Sequence, residues 1–268
     1  MITADRPIFL HSDSTKGFIA AKKLGAKIDP QHIAKSLYEF LCGLTPNQSQ
    51  SLIFPAFNYD YGKTRHFNVD HDAVQVGVLP EWVRNNTNFN RTEVPFFSFL
   101  SQIDLDLKVD QDICVDPFGK NSAFHKLLEM DANIHLFGAP ISSLTIIHYV
   151  EQVTGPPKYR YEKDFPGKII SGQSEKLCSF SMHVRPLGAN LNYDFSRLES
   201  DLINAPILRK AAKTAYFSWL NSTKLVEYWG NRLADDPFYF LDEASRSFFE
   251  RATDNGKKRV ELKEFEHV

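Results

Sequence analysis

The chain is 268 residues long and nearly neutral, with 31 Lys plus Arg against 33 Asp plus Glu and a formal net charge of -2. That length allows a substantial core, near the upper limit for one domain, while the charge balance leaves no basic footprint for nucleic acid. No run approaches the roughly 20 apolar residues of a membrane span, and Cys42, Cys114 and Cys178 form no CxxC pair, which argues against a disulfide scaffold and structural zinc.

The opening Met1-Ile2-Thr3-Ala4-Asp5-Arg6 lacks the basic start and apolar core of a secretory leader. A cytoplasmic protein with three buried, inert thiols is expected. Pro7–Leu10 reads as a first strand that runs into a polar loop. Asp29-Pro30 predicts an N-cap followed by Pro at the first position of a helix reaching about Leu41. Leu52–Phe54 is a short apolar strand ended by Pro55, and a polar aromatic loop, Ala56–Lys63, follows. Gly77–Arg84 reads as a helix, Phe96–Leu100 as a strand, and Asn121-Ser122 as the cap of a helix from Ala123 to Glu129. Asn133–Phe137 is an apolar strand closed by Gly138.

From about Pro156 the pattern changes. Pro-Pro, Phe165-Pro166-Gly167 and Gly172 punctuate short strands such as Lys176–Val184. Helices are expected over Ala211–Leu220 and Thr223–Leu233, and Lys257-Lys258-Arg259 reads as a solvated end. Strands alternating with helices in the first half predict an α/β layered fold, with a mixed, largely parallel central sheet flanked by helices. One domain is expected over 1–268: an α/β core in 1–155, with the smaller strands and helices of 156–268 packed on it.

The run from Ser142 to Glu151 follows the Gly138 turn, so the order is strand, turn, helix. Ser142 and Ser143 sit where an N-cap is expected, and His148 and Glu151, three apart, share a helix face. A neutral His beside a carboxylate is suited to taking a proton at neutral pH. A strand's carboxyl end beside a helix N-terminus suits a phosphate-bearing ligand. The same pair also fits a structural contact on an amphipathic helix.

Several stretches agree, in the same order, with one family. They are His11-Ser12-Asp13, Phe54-Pro55-Ala56-Phe57, Gly77-Val78-Leu79-Pro80-Glu81, Arg91-Thr92-Glu93-Val94-Pro95, Gly119-Lys120-Asn121-Ser122 and Thr145-Ile146-Ile147-His148-Tyr149-Val150-Glu151. In these the chain resembles the aminoglycoside 3-N-acetyltransferase family over roughly residues 7–245. The resemblance implies the fold of that family, acetyl-CoA as co-substrate, no metal, and acyl transfer to an amine. It implies His148 as the base and Glu151 as its support. It also implies that His11, Ser12, Asp13, Ser14, Lys16 and Ser122 contact coenzyme A. For the serines, ordinary capping is the competing role.

The chain departs from the drug-modifying members at Val94 and Phe97, where those members often carry His, and in the strand Phe180–Arg185, where they place acidic residues. His183 and Arg185 would tolerate or pair with an anionic group. An amino sugar linked to a nucleotide or another anion, used in polysaccharide biosynthesis, is therefore the expected acceptor, with Phe57, Asn58, Tyr59, Asp60, His71 and Ser98 as candidates for its pocket. The alternatives are an aminoglycoside-acetylating resistance enzyme, a metal-dependent hydrolase built on His66, Asp70, His71 and Asp72 with His148, and an inactive binding protein on the same scaffold. The His66–Asp72 cluster lacks a recognised ligand spacing. A monomer or homodimer without nucleic-acid or membrane partners is expected.

Overall fold

The computed structural model describes residues 6–45 and 51–261. The stretch at 1–5, read above as lacking a secretory leader, lies outside the described residues. In chain order the elements run β1 (Ile8–Ser12), α1 (Ser14–Lys23), α2 (Ile33–Gly43), β2 (Leu52–Pro55), α3 (Tyr61–Thr64), β3 (His66–Asn68), α4 (Val78–Asn86), β4 (Asn90–Arg91) and β5 (Phe99–Ser101). Then come β6 (Cys114–Val115), α5 (Ala123–Glu129), β7 (Asn133–Phe137), α6 (Ile146–Thr154), β8 (Tyr161–Ser171) and β9 (Ser174–Val184). The chain continues with α7 (Phe195–Asn204), β10 (Arg209–Lys210), β11 (Phe217–Asn221), α8 (Ser222–Asp235) and α9 (Glu243–Ala252). None of the described helices is long and apolar enough to cross a membrane.

The main sheet has seven strands in the order β10-β11-β7-β1-β2-β5-β4. Its centre, β7-β1-β2, is parallel, and the outer pairs are antiparallel. The central strands are nearly continuous apolar runs because both faces are covered. Ile8, Leu10, Leu52 and Phe54 point to one face, against α1, α2 and α4. Phe9, Ile53, Ile134 and Leu136 point to the other, where α5, α6 and α8 pack. On that second face lies a four-stranded sheet, β3-β8-β9-β6, built on the long antiparallel hairpin β8–β9.

One glycine fixes where the strand ends meet. Gly138 has φ +79°, and a Cβ there would stand 2.5 Å from Gly17 N and 2.6 Å from Asp13 O. The turn after β7 thus packs directly on the loop after β1, and Asp13 N donates to Phe137 O at 3.0 Å.

The structure corrects several expectations. Residues 211–216 are not helical, and Phe217–Asn221 is strand β11, paired along its length with β7. Its aromatic and apolar residues fit a pleated edge that β7 offers, and this pairing overrides the local helical signal. Helix α2 starts at Ile33 rather than after Asp29, whose carboxylate instead accepts from Gln31 N and binds the His32 ring. Strand β5 starts at Phe99, three residues later than expected. Of the cysteines only Cys178 is buried; Cys42 is half-buried and Cys114 exposed, since β6 is an edge strand. Arg259 is not free in solvent, as it donates to the Pro156 carbonyl.

Candidate active site

Helix α6 buries Ile146, Ile147, Tyr149, Val150 and Glu151, which leaves His148 at the edge of the apolar stripe. The expected N-cap serines do not cap it. A single 3-10 turn, Ile141–Ser143, intervenes after Pro140, and Thr145 holds the cap position.

Glu151 is 2% exposed and is the hub of a polar network. Its Oε2 lies 2.9 Å from His148 Nδ1 and 3.4 Å from Arg160 Nε. Its Oε1 accepts from the Tyr159 hydroxyl at 2.7 Å and from the Tyr193 hydroxyl at 2.5 Å. Arg160 Nη2 donates to the Tyr193 oxygen at 2.6 Å, which closes the circuit. Burial alone would favour a protonated Glu151, but Arg160, with help from His148 and Tyr193, outweighs it and holds the carboxyl at about 2. The His148 imidazolium is disfavoured by burial and by Arg160, and Glu151 only partly offsets them, so its pKa lies below 6.5.

These charges define the proton positions. An ionised Glu151 accepts from Nδ1–H of a neutral His148, which leaves the Nε2 lone pair available. Nε2 has no hydrogen-bond partner among the described residues, and 28% of the side chain remains accessible. The ring edge rests on Phe118, 5.5 Å between centroids.

A cavity of about 310 Å³ opens at the carboxyl ends of β1 and β2, lined by His11, Ser12, Phe57, Tyr59, Ser143 and Thr145 among others. His148 does not line it, but Thr145 stands one helical turn before it. A chain of aromatic contacts, Phe57–Phe97–Phe118–His148, joins the cavity wall to the dyad. His11 Nε2 and Ser12 Oγ are buried there without a protein partner. Burial drives the His11 pKa down to about 3, so its ring is neutral.

The remaining predicted residues are distributed as follows. Asp13 caps α1 by accepting from Lys16 N at 2.8 Å, Ser14 begins that helix, and Lys16 is exposed. Ser122 caps α5 through His125 N. Asn58 is buried and holds its own loop by donating to Ala73 O and accepting from Asp60 N. Asp60 binds the Gln75 amide. Ser98 is fully buried away from the cavity, bonded to Ala56 O and Arg91 Nε. His183 is brought close to the dyad: its Nδ1 bonds Gln152 Oε1 at 2.8 Å, and Gln152 Nε2 donates to Asp116. Arg185 is exposed and donates to the Leu191 carbonyl. His71 is exposed in a loop where Asn68 Oδ1 accepts from the backbone N–H groups of Asp70 and His71. Among the described residues, no three His, Cys, Asp or Glu side chains group so as to hold a metal ion.

Tyr159, Arg160 and Tyr193 escape a reading of the sequence. The only local sign is the aromatic and basic run just after α6, and nothing links Tyr193 to it.

The family model described as aminoglycoside 3-N-acetyltransferase matches residues 46–234, and the chain belongs to this family of acetyltransferases. No curated protein sequence matches at a significant level. Among solved structures, the chain is similar to a mutant of aminoglycoside acetyltransferase AAC(3)-IVa in complex with gentamicin, at TM-score 0.69 and 16% identity, over 97% of this chain and 92% of that one. It is also similar to AAC-IIIb in its binary complex with CoASH, at TM-score 0.64 and 16% identity, over 87% and 91%. The YokD protein from Bacillus subtilis is similar at TM-score 0.64 and 11% identity, over 87% and 88%. At these identities the likeness establishes the fold.

Proposed function

We propose that this protein transfers the acetyl group of acetyl-CoA to an amine of an aminoglycoside-type amino sugar, by direct attack, with His148 as general base. The observation that carries the reading is the His148 ring held through Nδ1 by a buried Glu151, which Tyr159, Tyr193 and Arg160 anchor, with Nε2 unpartnered among the described residues. An amine nucleophile must shed a proton as it bonds to carbon, and an imidazole supplies a base of the right strength. Bound acetyl-CoA supplies the activated thioester. His148 Nε2 takes the amine proton as nitrogen bonds to the acyl carbon, and returns it to the departing sulfur. His11 Nε2 and Ser12 Oγ, unpartnered at the cavity, are the candidates for polar contacts to the pantetheine amides or to the carbonyl oxygen as it gains charge.

The acceptor assignment turns on His183 and Arg185. Neither lines the cavity, and both are engaged by protein partners. The reason for preferring an anionic, nucleotide-linked acceptor is thereby weakened, and the family match favours a polycationic one. Phe57 and Tyr59 offer the cavity aromatic surface for a sugar ring. The test is a panel of aminoglycosides and nucleotide-linked amino sugars with acetyl-CoA, following free thiol. Aminoglycosides are expected to react best. Preference for a nucleotide-linked sugar would restore the anionic reading, and thiol release with no amine at all would overturn acyl transfer.

A further inference from the structure

A second cavity lies at the opposite end of the main sheet. Strand β1 runs from Ile8, level with Asn133, to Ser12, level with Phe137. The cavity described above sits at the Ser12 end. The second, of about 130 Å³, sits at the Asn133 end, lined by Arg6, Asn133, His135, Arg209, Trp219 and Lys224 among others.

Three features of this cavity point to one ligand chemistry. First, three cationic side chains converge on it. Arg6 is balanced by Asp131 at 2.7 Å, and Asp131 also acts on Lys224, but Arg209 makes neither an ion pair nor a side-chain hydrogen bond among the described residues. Second, the amino end of the long helix α8 opens here: Asn221 is its cap and accepts from Lys224 N. The aligned peptide dipoles add positive potential at that point. Third, His135 lines the cavity, is only 3% exposed, and has no hydrogen-bond partner among the described residues. Its ring meets Phe217 edge-on, and strand register sets it beside Trp219, with Arg209 beyond. Burial keeps this imidazole neutral, at about 3, so it offers one N–H donor without a charge of its own. Its ring nitrogens open onto the cavity and meet no protein acceptor among the described residues, so a ligand bound there can accept from it.

We infer that this cavity binds a tetrahedral oxyanion, phosphate or a phosphomonoester group, held by Arg209, Lys224, His135 and the start of α8. Its small volume admits such a group and excludes a whole coenzyme. Its position, a full strand length from Ser12, separates it from the acyl-transfer cavity.

The test is titration of the full-length protein with inorganic phosphate and, separately, with glycerol phosphate, following thermal stability and Trp fluorescence at constant ionic strength. Saturable stabilisation is expected, with the dissociation constant raised about tenfold in Arg209→Gln and in Lys224→Gln. Saturation by phosphate alone marks a free-anion site, and saturation by the ester marks a phosphorylated ligand; either supports the assignment. Response to phosphate is expected to persist with saturating CoA present, and acetyl transfer by both variants to stay at the wild-type rate. A linear response that chloride reproduces and the variants retain, or one that CoA abolishes, would overturn it.

Discussion

Two segments of this chain look alike on paper and behave differently in the fold. His148 and Glu151 stand three apart on α6; His71 and Asp72 stand in the loop between β3 and α4. Around Glu151 the polar groups come from α6, from the segment entering β8 and from the loop before α7, and all converge on one buried carboxylate. Around Asp72 the carboxylate's own hydrogen bond is local, Oδ2 accepting from Asn68 N four residues away, while Arg91 reaches only its backbone carbonyl. The first arrangement sets a protonation state. The second only shapes a turn. Proximity of His and acid in sequence therefore says little until the charges brought in by distant segments are known.

The largest effect that would break this contrast is on rate. His148→Gln is expected to lower kcat by about 10²–10⁴-fold, measured by thiol release at saturating substrates. A loss under twofold would show that the ring is not the base. Next comes stability. Glu151→Ala leaves Arg160 buried without its counter-charge and should cost about 3–5 kcal/mol in urea unfolding. Asp72→Ala removes one loop hydrogen bond and should cost about 0.5–1.5 kcal/mol. Equal costs would erase the distinction between the two segments. Tyr193→Phe removes the hydroxyl that bridges Glu151 and Arg160 and should cost about 1.5–3 kcal/mol, with kcat falling less than in His148→Gln.

The pH dependence sharpens the comparison further. The base works unprotonated, and burial and Arg160 lower the His148 pKa from 6.5, so kcat/KM should stay level below pH 6.5 before it falls. An inflection above that value would mean that Glu151 outweighs burial. Stability should follow the same sense. His11 and His135 titrate near 3 in the fold and near 6.5 when unfolded, so their contribution is complete above pH 6.5 and is lost as pH falls toward 3. The slope is about 1.4 kcal/mol per pH unit for each group. The smallest effect is expected for His71→Ala, within about 0.5 kcal/mol of wild type and without loss of activity.

Much of the placement of the candidate residues could be read from the sequence. His148 and Glu151 sit at a spacing that one helix brings together, and Ser122 precedes a helix that begins at the expected residue. His11 and Ser12 end β1, and Phe57 and Tyr59 follow β2, strands whose apolar runs mark them as central, so their arrival at one sheet end follows from parallel pairing. Ser98, Asn58 and Arg185 could not be placed in advance, because a polar residue beside a strand end can face a cavity or its own backbone equally well. The strand β11 was hidden for a different reason: its pairing partner, β7, lies some eighty residues earlier in the chain.

Local chemistry was enough to write down the central strands, the Gly138 turn and the helix that carries the dyad, since each depends on side-chain size, periodicity and backbone freedom within a few residues. Which imidazole is neutral, and which carboxylate keeps its charge, depended on the folded chain. Ionisation answers to burial and to the nearest charges, and here those are Arg160 and Tyr193, which reach Glu151 only after β8, β9 and the loop before α7 have packed against α6.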